Sequence, residues 1–309
     1  MKTAFLFSGQ GAQYQGMGQE LYKTYPIAHE VFDEASEVLG YDMARLCFDD
    51  NEQLDQTEYT QPAILTVSTA MLKIAEKEGL KADIVAGLSL GEYTALVASG
   101  AIPFNQAVRL VATRGRLMAE AAPKGSGKMV AVMNASVDLI ERCCLEATNE
   151  TKQVVAPANY NTPQQIVIGG DVIAVDLAVS KLTAEGVRRC IELNVSGPFH
   201  TPLLQSAAEK LAMELSHYTF SPMQIPLVAN TTAAIMKNQE VKTLLERQVM
   251  SPVRFYESIA TIQKQGVTEF IEIGPGKVLS GFLKKIDKQL QINRIENQET
   301  LTATLTHFN

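Results

Sequence analysis

A serine between two glycines is the residue of this sequence whose surroundings most clearly suggest chemistry. Ser89 lies in Gly87-Leu88-Ser89-Leu90-Gly91, a GxSxG pattern between a predicted buried strand and an apolar helix. In such a turn small glycines let strand and helix approach closely, and the serine oxygen points away from the sheet. The amide N–H of Leu90 would face the same space, ready for an oxyanion. The pattern favours a nucleophilic serine.

The same residues also fit a structural role. Ser89 and Glu92 have the S-x-x-E spacing of a capping box, in which a serine satisfies free amides at the start of a helix. A nucleophile and a helix cap are compatible roles, so this alternative stays open.

A serine nucleophile needs a base, and the sequence offers only four histidines. His200 follows Gly197-Pro198-Phe199 and precedes Thr201-Pro202, which resemble a helix N-cap and first helical position. The positive end of a helix dipole disfavours the imidazolium, and a general base must start neutral. His200 is therefore the candidate base; a histidine that only packs at a turn is the alternative. The others lie in a polar helix pattern, in a connection and near the end of the chain (His29, His217 and His307).

An arginine interrupts the apolar stripe of a helix predicted over 105–121. Arg114 stands where the stripe of Leu110 and Val111 would continue, whereas Arg109 and Arg116 fall outside it. A lone buried charge is very costly, so Arg114 needs an anionic partner. That partner is either an internal Asp or Glu or the carboxylate of a substrate, which a guanidinium can bind with two hydrogen bonds.

Composition excludes several classes of protein. The chain has 309 residues and a net charge of −7, which argues against a general nucleic-acid binder. Its four cysteines form no CxxC pair and no Cys/His spacing, so a structural metal is not expected. We expect a reduced, cytoplasmic protein. No run of about 18 apolar residues occurs, so no membrane span is predicted.

The order of predicted elements indicates an α/β protein with an insertion. Residues 125–196 read strand, helix, strand, strand, helix, strand, the order of a ferredoxin-like α+β unit. Residues 1–124 and 197–309 alternate strands and helices, including a helix over 18–39 and a strand over 225–229, and form the predicted catalytic subdomain. We therefore expect a hydrolase-like parallel-sheet core with an inserted ferredoxin-like subdomain. The segment after about residue 290 has little apolar pattern, and no role is predicted for it.

Taken together, the motifs resemble the family of malonyl-CoA:acyl carrier protein transacylases of bacterial fatty acid synthesis. The resemblance spans about residues 3 to 290 and rests on seven motifs in the expected order. They are Phe7-Ser8-Gly9-Gln10-Gly11-Ala12-Gln13, Thr60-Gln61-Pro62-Ala63, Gly87-Leu88-Ser89-Leu90-Gly91-Glu92-Tyr93, Arg114-Gly115, Ala158-Asn159-Tyr160-Asn161, Gly197-Pro198-Phe199-His200 and Ile273-Gly274-Pro275-Gly276-Lys277-Val278-Leu279.

The resemblance implies roles for several residues. Ser89 would carry the acyl group, His200 would be the base, and the backbone carbonyl of Gln248 would orient the histidine. The amides of Gln10 and Leu90 would form the oxyanion hole. The sequence departs from the family pattern at three positions, where Leu88 replaces a common His, Ser8 a common Pro and Gln164 a common Gly.

The resemblance also implies a substrate and partners. Arg114 would hold the malonyl carboxylate, and Phe199 resembles malonyl-selective members. The substrate would be malonyl-CoA and the partner would be an acyl carrier protein. The protein would be a monomer and would need no cofactor or metal. The rival interpretations are a serine hydrolase and a non-catalytic module that binds the carrier protein.

An acidic carrier protein would need a local basic surface on this acidic chain. The candidates are Arg188 with Arg189 in the insertion, and Lys284 with Lys285 and Lys288 in and after the last helix of the predicted core. A cluster of charges can equally be a solvated face without a partner.

Overall fold

Two separate β-sheets organise the part of the chain that the structure, a computed structural model, describes: residues 2–123, 125–195 and 197–308. The strands are β1 (Lys2–Phe7), β2 (Ile84–Gly87), β3 (Lys128–Met133), β4 (Val155–Thr162), β5 (Gln165–Gly170), β6 (Cys190–Glu192), β7 (Val267–Ile273) and β8 (Gln291–Ile295). The helices are α1 (Gln19–Thr24), α2 (Pro26–Leu39), α3 (Met43–Phe48), α4 (Thr57–Lys77), α5 (Gly91–Ala98), α6 (Phe104–Ala121), α7 (Val137–Thr151), α8 (Val172–Ala184), α9 (Gln205–Leu215), α10 (Val241–Met250), α11 (Phe255–Lys264), α12 (Val278–Ile286) and α13 (Gln298–Phe308).

The first sheet is parallel and has the strand order β2-β1-β7-β8. Its central strands are almost fully buried, as expected for apolar strands covered by helices on both faces. Helix α4 lies against α6 and α5, and α5 leaves the carboxyl end of β2. In such sheets ligands bind outside the carboxyl ends of the strands, which is where Ser89 lies.

The second sheet is antiparallel, with the order β4-β5-β3-β6. Helices α7 and α8 cover it, and it has an apolar core of its own that includes Ile140, Ile168 and Leu182. This is the ferredoxin-like arrangement, so the predicted fold class is confirmed. The exact limits at 124/125 and 196/197 stay a prediction, because Lys124 and Ser196 lie outside the described residues.

Two local predictions were wrong. The helix over 18–39 is two helices, since Tyr25 is extended and Pro26 starts α2. The strand over 225–229 forms only isolated bridges, from Leu227 to Val85 and from Val228 to Ile235, and Pro226 has no N–H with which to extend the ladder beside Val85. The segment after residue 290, for which no role was predicted, contributes β8 to the parallel sheet beside β7 and forms α13, which buries Leu301. Its pattern is weak because β8 is a half-buried edge strand.

The two sheets meet close to the segment that follows α10. Val253 accepts a backbone hydrogen bond from Tyr160 of β4 (2.8 Å) and donates one to Ala158 (2.9 Å). The amide of the next residue, Arg254, donates to the carbonyl of Asn230 (2.8 Å). None of the helices described for this chain is long and apolar enough to cross a membrane.

Candidate active site

The turn that carries Ser89 is held in a conformation that only close packing permits. Ser89 has a φ of 53°, in the left-handed region, which costs a non-glycine residue about 1–3 kcal/mol. A Cβ on Gly87 would lie 2.0 Å from the carbonyl carbon of Gly91, and one on Gly91 would lie 2.1 Å from the carbonyl oxygen of Phe7. The glycines are therefore needed for β1, β2 and α5 to approach each other around the serine.

The side chain of Ser89 does not cap α5. Helix α5 begins at Gly91 without a capping side chain, and the Ser89 hydroxyl contacts His200 instead. Glu92 is buried and bonds to Asn230 and Gln248, so it does not complete a capping box with Ser89. The predicted capping box is thus not formed at this turn.

His200 is brought to Ser89 from a distant part of the chain. Its Nε2 lies 2.8 Å from Ser89 Oγ, and its Nδ1 lies 2.7 Å from the main-chain oxygen of Gln248. A carbonyl oxygen can only accept, so the proton of the neutral ring is on Nδ1. The lone pair of Nε2 therefore faces the serine hydroxyl, which is the geometry of a general base.

Burial keeps His200 neutral. Removal from water and, to a smaller extent, the neighbouring positive charge of Arg114 lower the pKa of His200 to about 4, although the Gln248 carbonyl opposes the shift. The residue is 5% exposed. The sequence predicted a neutral histidine through a helix dipole, but the helical turn after it, Pro202–Leu204, is a short 3-10 helix that runs into α9. Burial and Arg114 are the larger causes.

Arg114 is fully buried beside the serine, with 1% of its surface exposed. Its Nη1 donates to Gln61 Oε1 (2.6 Å), and its Nη2 donates to Gln248 Oε1 (2.8 Å) and to Ser89 Oγ (3.2 Å). The guanidinium carbon lies 5.2 Å from the centre of the Tyr93 ring. Its Nε has no hydrogen-bond partner. Within the described ranges no carboxylate pairs with this cation, so its partners are neutral oxygens.

The loop after β1 lies directly against the serine turn. A Cβ on Gly9 would be 2.3 Å from the carbonyl oxygen of Leu88, so these two backbones touch. The hydrogen bonds of residues 2–123, 125–195 and 197–308 include none donated by the amides of Gln10 or Leu90. Two free amides on touching loops are suited to an oxyanion hole. The Gln10 side chain is tied to α4 through Thr57 (3.1 Å) and Gln61 (3.3 Å).

Sequence reasoning missed three residues that hold this site together. Asn230 accepts from the Ser89 amide (2.7 Å) and donates to the Gly87 carbonyl (2.7 Å). Gln61 accepts a hydrogen bond from Arg114, and Glu92 accepts hydrogen bonds from both Asn230 and Gln248. Gln61 stands inside a quoted motif without an assigned role, and Glu92 was considered only as the acidic member of a capping box. Asn230 could have been found as a polar residue at the end of the segment predicted as a strand over 225–229.

The candidate docking cations lie outside this cluster. Arg188 and Arg189 are exposed between α8 and β6, and Lys284 and Lys285 are exposed on α12. Lys284 lines a surface groove together with Lys277 and Arg294. One pair therefore lies beside the antiparallel sheet, and the other lies on a helix next to the parallel sheet.

The fold and this serine–histidine–arginine cluster define the class, and comparisons with known proteins agree. The chain belongs to the acyl transferase domain family, whose model matches residues 4–304.

The relatives of this chain carry names more specific than that of the family. The chain is 44% identical over 306 residues to the malonyl CoA-acyl carrier protein transacylase of Bacillus subtilis, covering 98% of this chain and 96% of that protein. The crystal structure of MCAT from Streptococcus pneumoniae superposes with a TM-score of 0.97 at 56% identity, covering 99% of this chain and 100% of the other. A type II PKS acyl-carrier protein in complex with its malonyl-transacylase (PlMCAT:AntF) matches with a TM-score of 0.96 at 39% identity, covering 99% of this chain and 100% of that chain.

Proposed function

We propose that this chain is an acyl-carrier-protein S-malonyltransferase. It moves a malonyl group from malonyl-CoA to the phosphopantetheine thiol of an acyl carrier protein through an ester on Ser89. The observation that carries the substrate assignment is Arg114, a buried cation without a carboxylate partner that contacts the serine oxygen at 3.2 Å. Because a buried charge is costly unless it is paired, the site is suited to an acyl group that brings its own carboxylate.

The first half-reaction acylates the serine. Ser89 Oγ attacks the thioester carbonyl while its proton passes to His200 Nε2, 2.8 Å away. The tetrahedral oxyanion is held by the amides of Gln10 and Leu90, and each such donor contributes about 3 kcal/mol in comparable sites. The carbon–sulfur bond then breaks, His200 returns the proton to the leaving CoA thiolate, and malonyl-Ser89 remains.

The second half-reaction reverses this chemistry on a different thiol. The phosphopantetheine thiol enters, His200 takes its proton, and the thiolate attacks the ester carbonyl. The same two amides hold the oxyanion, and the proton on His200 protonates Ser89 Oγ as the ester bond breaks. The Gln248 carbonyl holds the imidazole ring at the required angle throughout.

The remaining assignments complete the proposal. The enzyme works in the cytoplasm as a monomer and requires no cofactor, because CoA enters as part of a substrate. Residues 125–196 form the inserted subdomain. The carrier protein binds at Lys284 and Lys285, at Arg188 and Arg189, or at both, because these exposed cations are complementary to an acidic partner.

The test is the covalent intermediate. The protein is incubated with malonyl-CoA alone, digested and analysed by mass spectrometry. We expect a malonyl adduct on the peptide that contains Ser89, its absence in Ser89→Ala, and its presence in Ser206→Ala, a control at an exposed serine of α9. An adduct on another residue, or full transfer activity in Ser89→Ala, would refute the proposal. Hydrolysis faster than transfer to carrier protein would instead indicate a serine hydrolase.

A further inference from the structure

Glu92 is a buried carboxyl group that the proposed reaction does not use. It lies in the first turn of α5, three residues after Ser89, and is 1% exposed. Its hydrogen bonds come from neutral donors of Asn230 and Gln248, and Arg114 is the cation whose charge acts on it. A carboxyl group is seldom placed so deeply without a function or a compensating partner, because its desolvation is costly.

The two oxygens of Glu92 fix the orientation of an amide side chain. Oε2 accepts a hydrogen bond from Gln248 Nε2, and Oε1 accepts from the Asn230 backbone amide (3.1 Å). Burial raises the pKa of Glu92 to about 7, whereas its hydrogen bonds from Asn230 and Gln248 and the charge of Arg114 favour the ionised form. The ionised carboxylate accepts only, so the NH2 group of Gln248 faces Glu92. The amide oxygen then faces the opposite way, where it receives Arg114 Nη2 at 2.8 Å. A reversed amide would place NH2 against the guanidinium, donor against donor.

Glu92 matters more for the position of Arg114 than for the conformation of the serine turn. Gln248 Nε2 also donates to the Ser89 carbonyl (2.9 Å), but the Ser89 amide is held separately by the Asn230 side chain (2.7 Å). That side chain also donates to Gly87 (2.7 Å) and needs no contact with the Glu92 carboxylate for either bond. Arg114 Nη2, by contrast, has the Gln248 oxygen as its closest acceptor.

We propose that Glu92 is a positioning residue that fixes the polarity of the Gln248 amide and thereby aims Arg114 at the carboxylate of the acyl group. It therefore contributes to the selection of dicarboxylic over monocarboxylic acyl groups without contacting the substrate. This inference rests on the proposed function, since it concerns the arginine that the malonyl group would meet.

The test is the ratio of kcat/KM for malonyl-CoA to kcat/KM for acetyl-CoA in Glu92→Gln. A glutamine at this position can donate as well as accept, so the Gln248 amide is free to turn and its oxygen is lost to Arg114. We expect the ratio to fall by about tenfold or more, the value of one hydrogen bond to a charged group. The ratio does not depend on the fraction of molecules that fold.

A matched control separates this effect from the loss of any buried carboxylate. Glu272 is 0% exposed and accepts from the amides of Leu279 (2.9 Å) and Ser280 (2.8 Å) at the start of α12. None of its hydrogen bonds involves the serine cluster. Glu272→Gln should lower the stability of the protein and leave the malonyl/acetyl ratio unchanged.

A double-mutant cycle tests the route of the effect. Gln248→Met keeps the backbone carbonyl that orients His200 and removes the amide, so it should lower the ratio to the same degree. In the double variant the malonyl/acetyl ratio should fall no further than in either single variant, because both substitutions interrupt the same chain of contacts. A ratio that falls by the product of the two single effects would overturn the proposal. If Glu92→Gln does not fold, an unchanged ratio in Gln248→Met overturns it equally.

The outcomes distinguish this inference from the proposed function. A parent protein that does not prefer malonyl-CoA refutes the proposed function itself. A parent that prefers malonyl-CoA, combined with an unchanged ratio in Glu92→Gln, refutes only the positioning role of Glu92.

Discussion

The main-chain oxygen of Gln248 lies 2.7 Å from Nδ1 of His200 and takes the place that a carboxylate occupies in a serine–histidine–aspartate triad. A neutral carbonyl orients the ring and selects its tautomer. It stabilises an imidazolium less than a carboxylate does, and the neighbouring Arg114 disfavours that cation further. As the base of the proposed reaction, His200 is thus well oriented but weakly basic.

The low basicity predicts the pH dependence of acylation. Burial and Arg114 lower the pKa of His200 to about 4, so the base is neutral at every pH above about 5. The single-turnover rate of Ser89 acylation should be flat from pH 8 to about 5 and fall below that as the ring is protonated. A midpoint near the ordinary value of 6.5 would contradict the buried geometry.

The same shift predicts a pH-dependent term in stability. The unfolded chain binds the His200 proton near pH 6.5 and the folded chain only near 4, so the unfolded state holds more protons between these values. The free energy of unfolding should therefore gain a contribution from His200 as the pH rises from about 4 to 6.5. Denaturant titrations should show this slope reduced in His200→Gln; an identical slope in both proteins would argue against a lowered pKa.

Removal of the guanidinium should change the choice of acyl group. In Arg114→Ala the malonyl carboxylate has no cation to meet, and we expect kcat/KM for malonyl-CoA to fall about a hundredfold, as when a buried charged group loses its partner. Acetyl-CoA should be used relatively better. Arg109→Ala, at an exposed position of the same helix, is the control and should behave like the parent protein. Equal losses for both thioesters in Arg114→Ala would refute a carboxylate clamp.

The contact between α5 and β1 should not tolerate a methyl group. The Cβ of Gly91→Ala would lie 2.1 Å from the Phe7 carbonyl oxygen, so backbone must move, at a cost of about 1–3 kcal/mol or more. We expect a lower free energy of unfolding together with a slower acylation of Ser89. Gly281→Ala in α12 has open space around its Cβ and should be neutral or slightly stabilising. Thermal unfolding of the two variants makes the comparison.

Charge reversal should identify the docking surface. Lys284→Glu combined with Lys285→Glu should raise the KM for acyl carrier protein by about fivefold or more at low salt and leave adduct formation from malonyl-CoA unchanged. Arg188→Glu combined with Arg189→Glu tests the second pair, and Lys77→Glu, at the exposed last residue of α4, serves as the control. If neither pair changes the KM for carrier protein, both are solvated faces and docking occurs elsewhere.

How much of the site could be predicted differs from residue to residue. Ser89 and the close approach of its glycines follow from a local pattern, because a strand-to-helix turn is encoded within a few residues. Arg114 is visible as a break in a helical stripe, but the sequence left its partner open between an internal acid and a substrate. Asn230 carries no such local signature, and its contact with Ser89 joins residues 141 positions apart.

The sequence by itself determined the order of elements, the inserted α+β unit and the chemical types at the serine turn, because periodicity and turn chemistry are local properties. Only the tertiary structure decided that no carboxylate of the described chain bonds directly to Arg114, and that a carbonyl from α10 orients His200. It also decided that the Glu92 carboxylate sets the direction of the Gln248 amide. These relationships depend on burial and on contacts between distant segments, which exist only once the parallel sheet has gathered the ends of its strands.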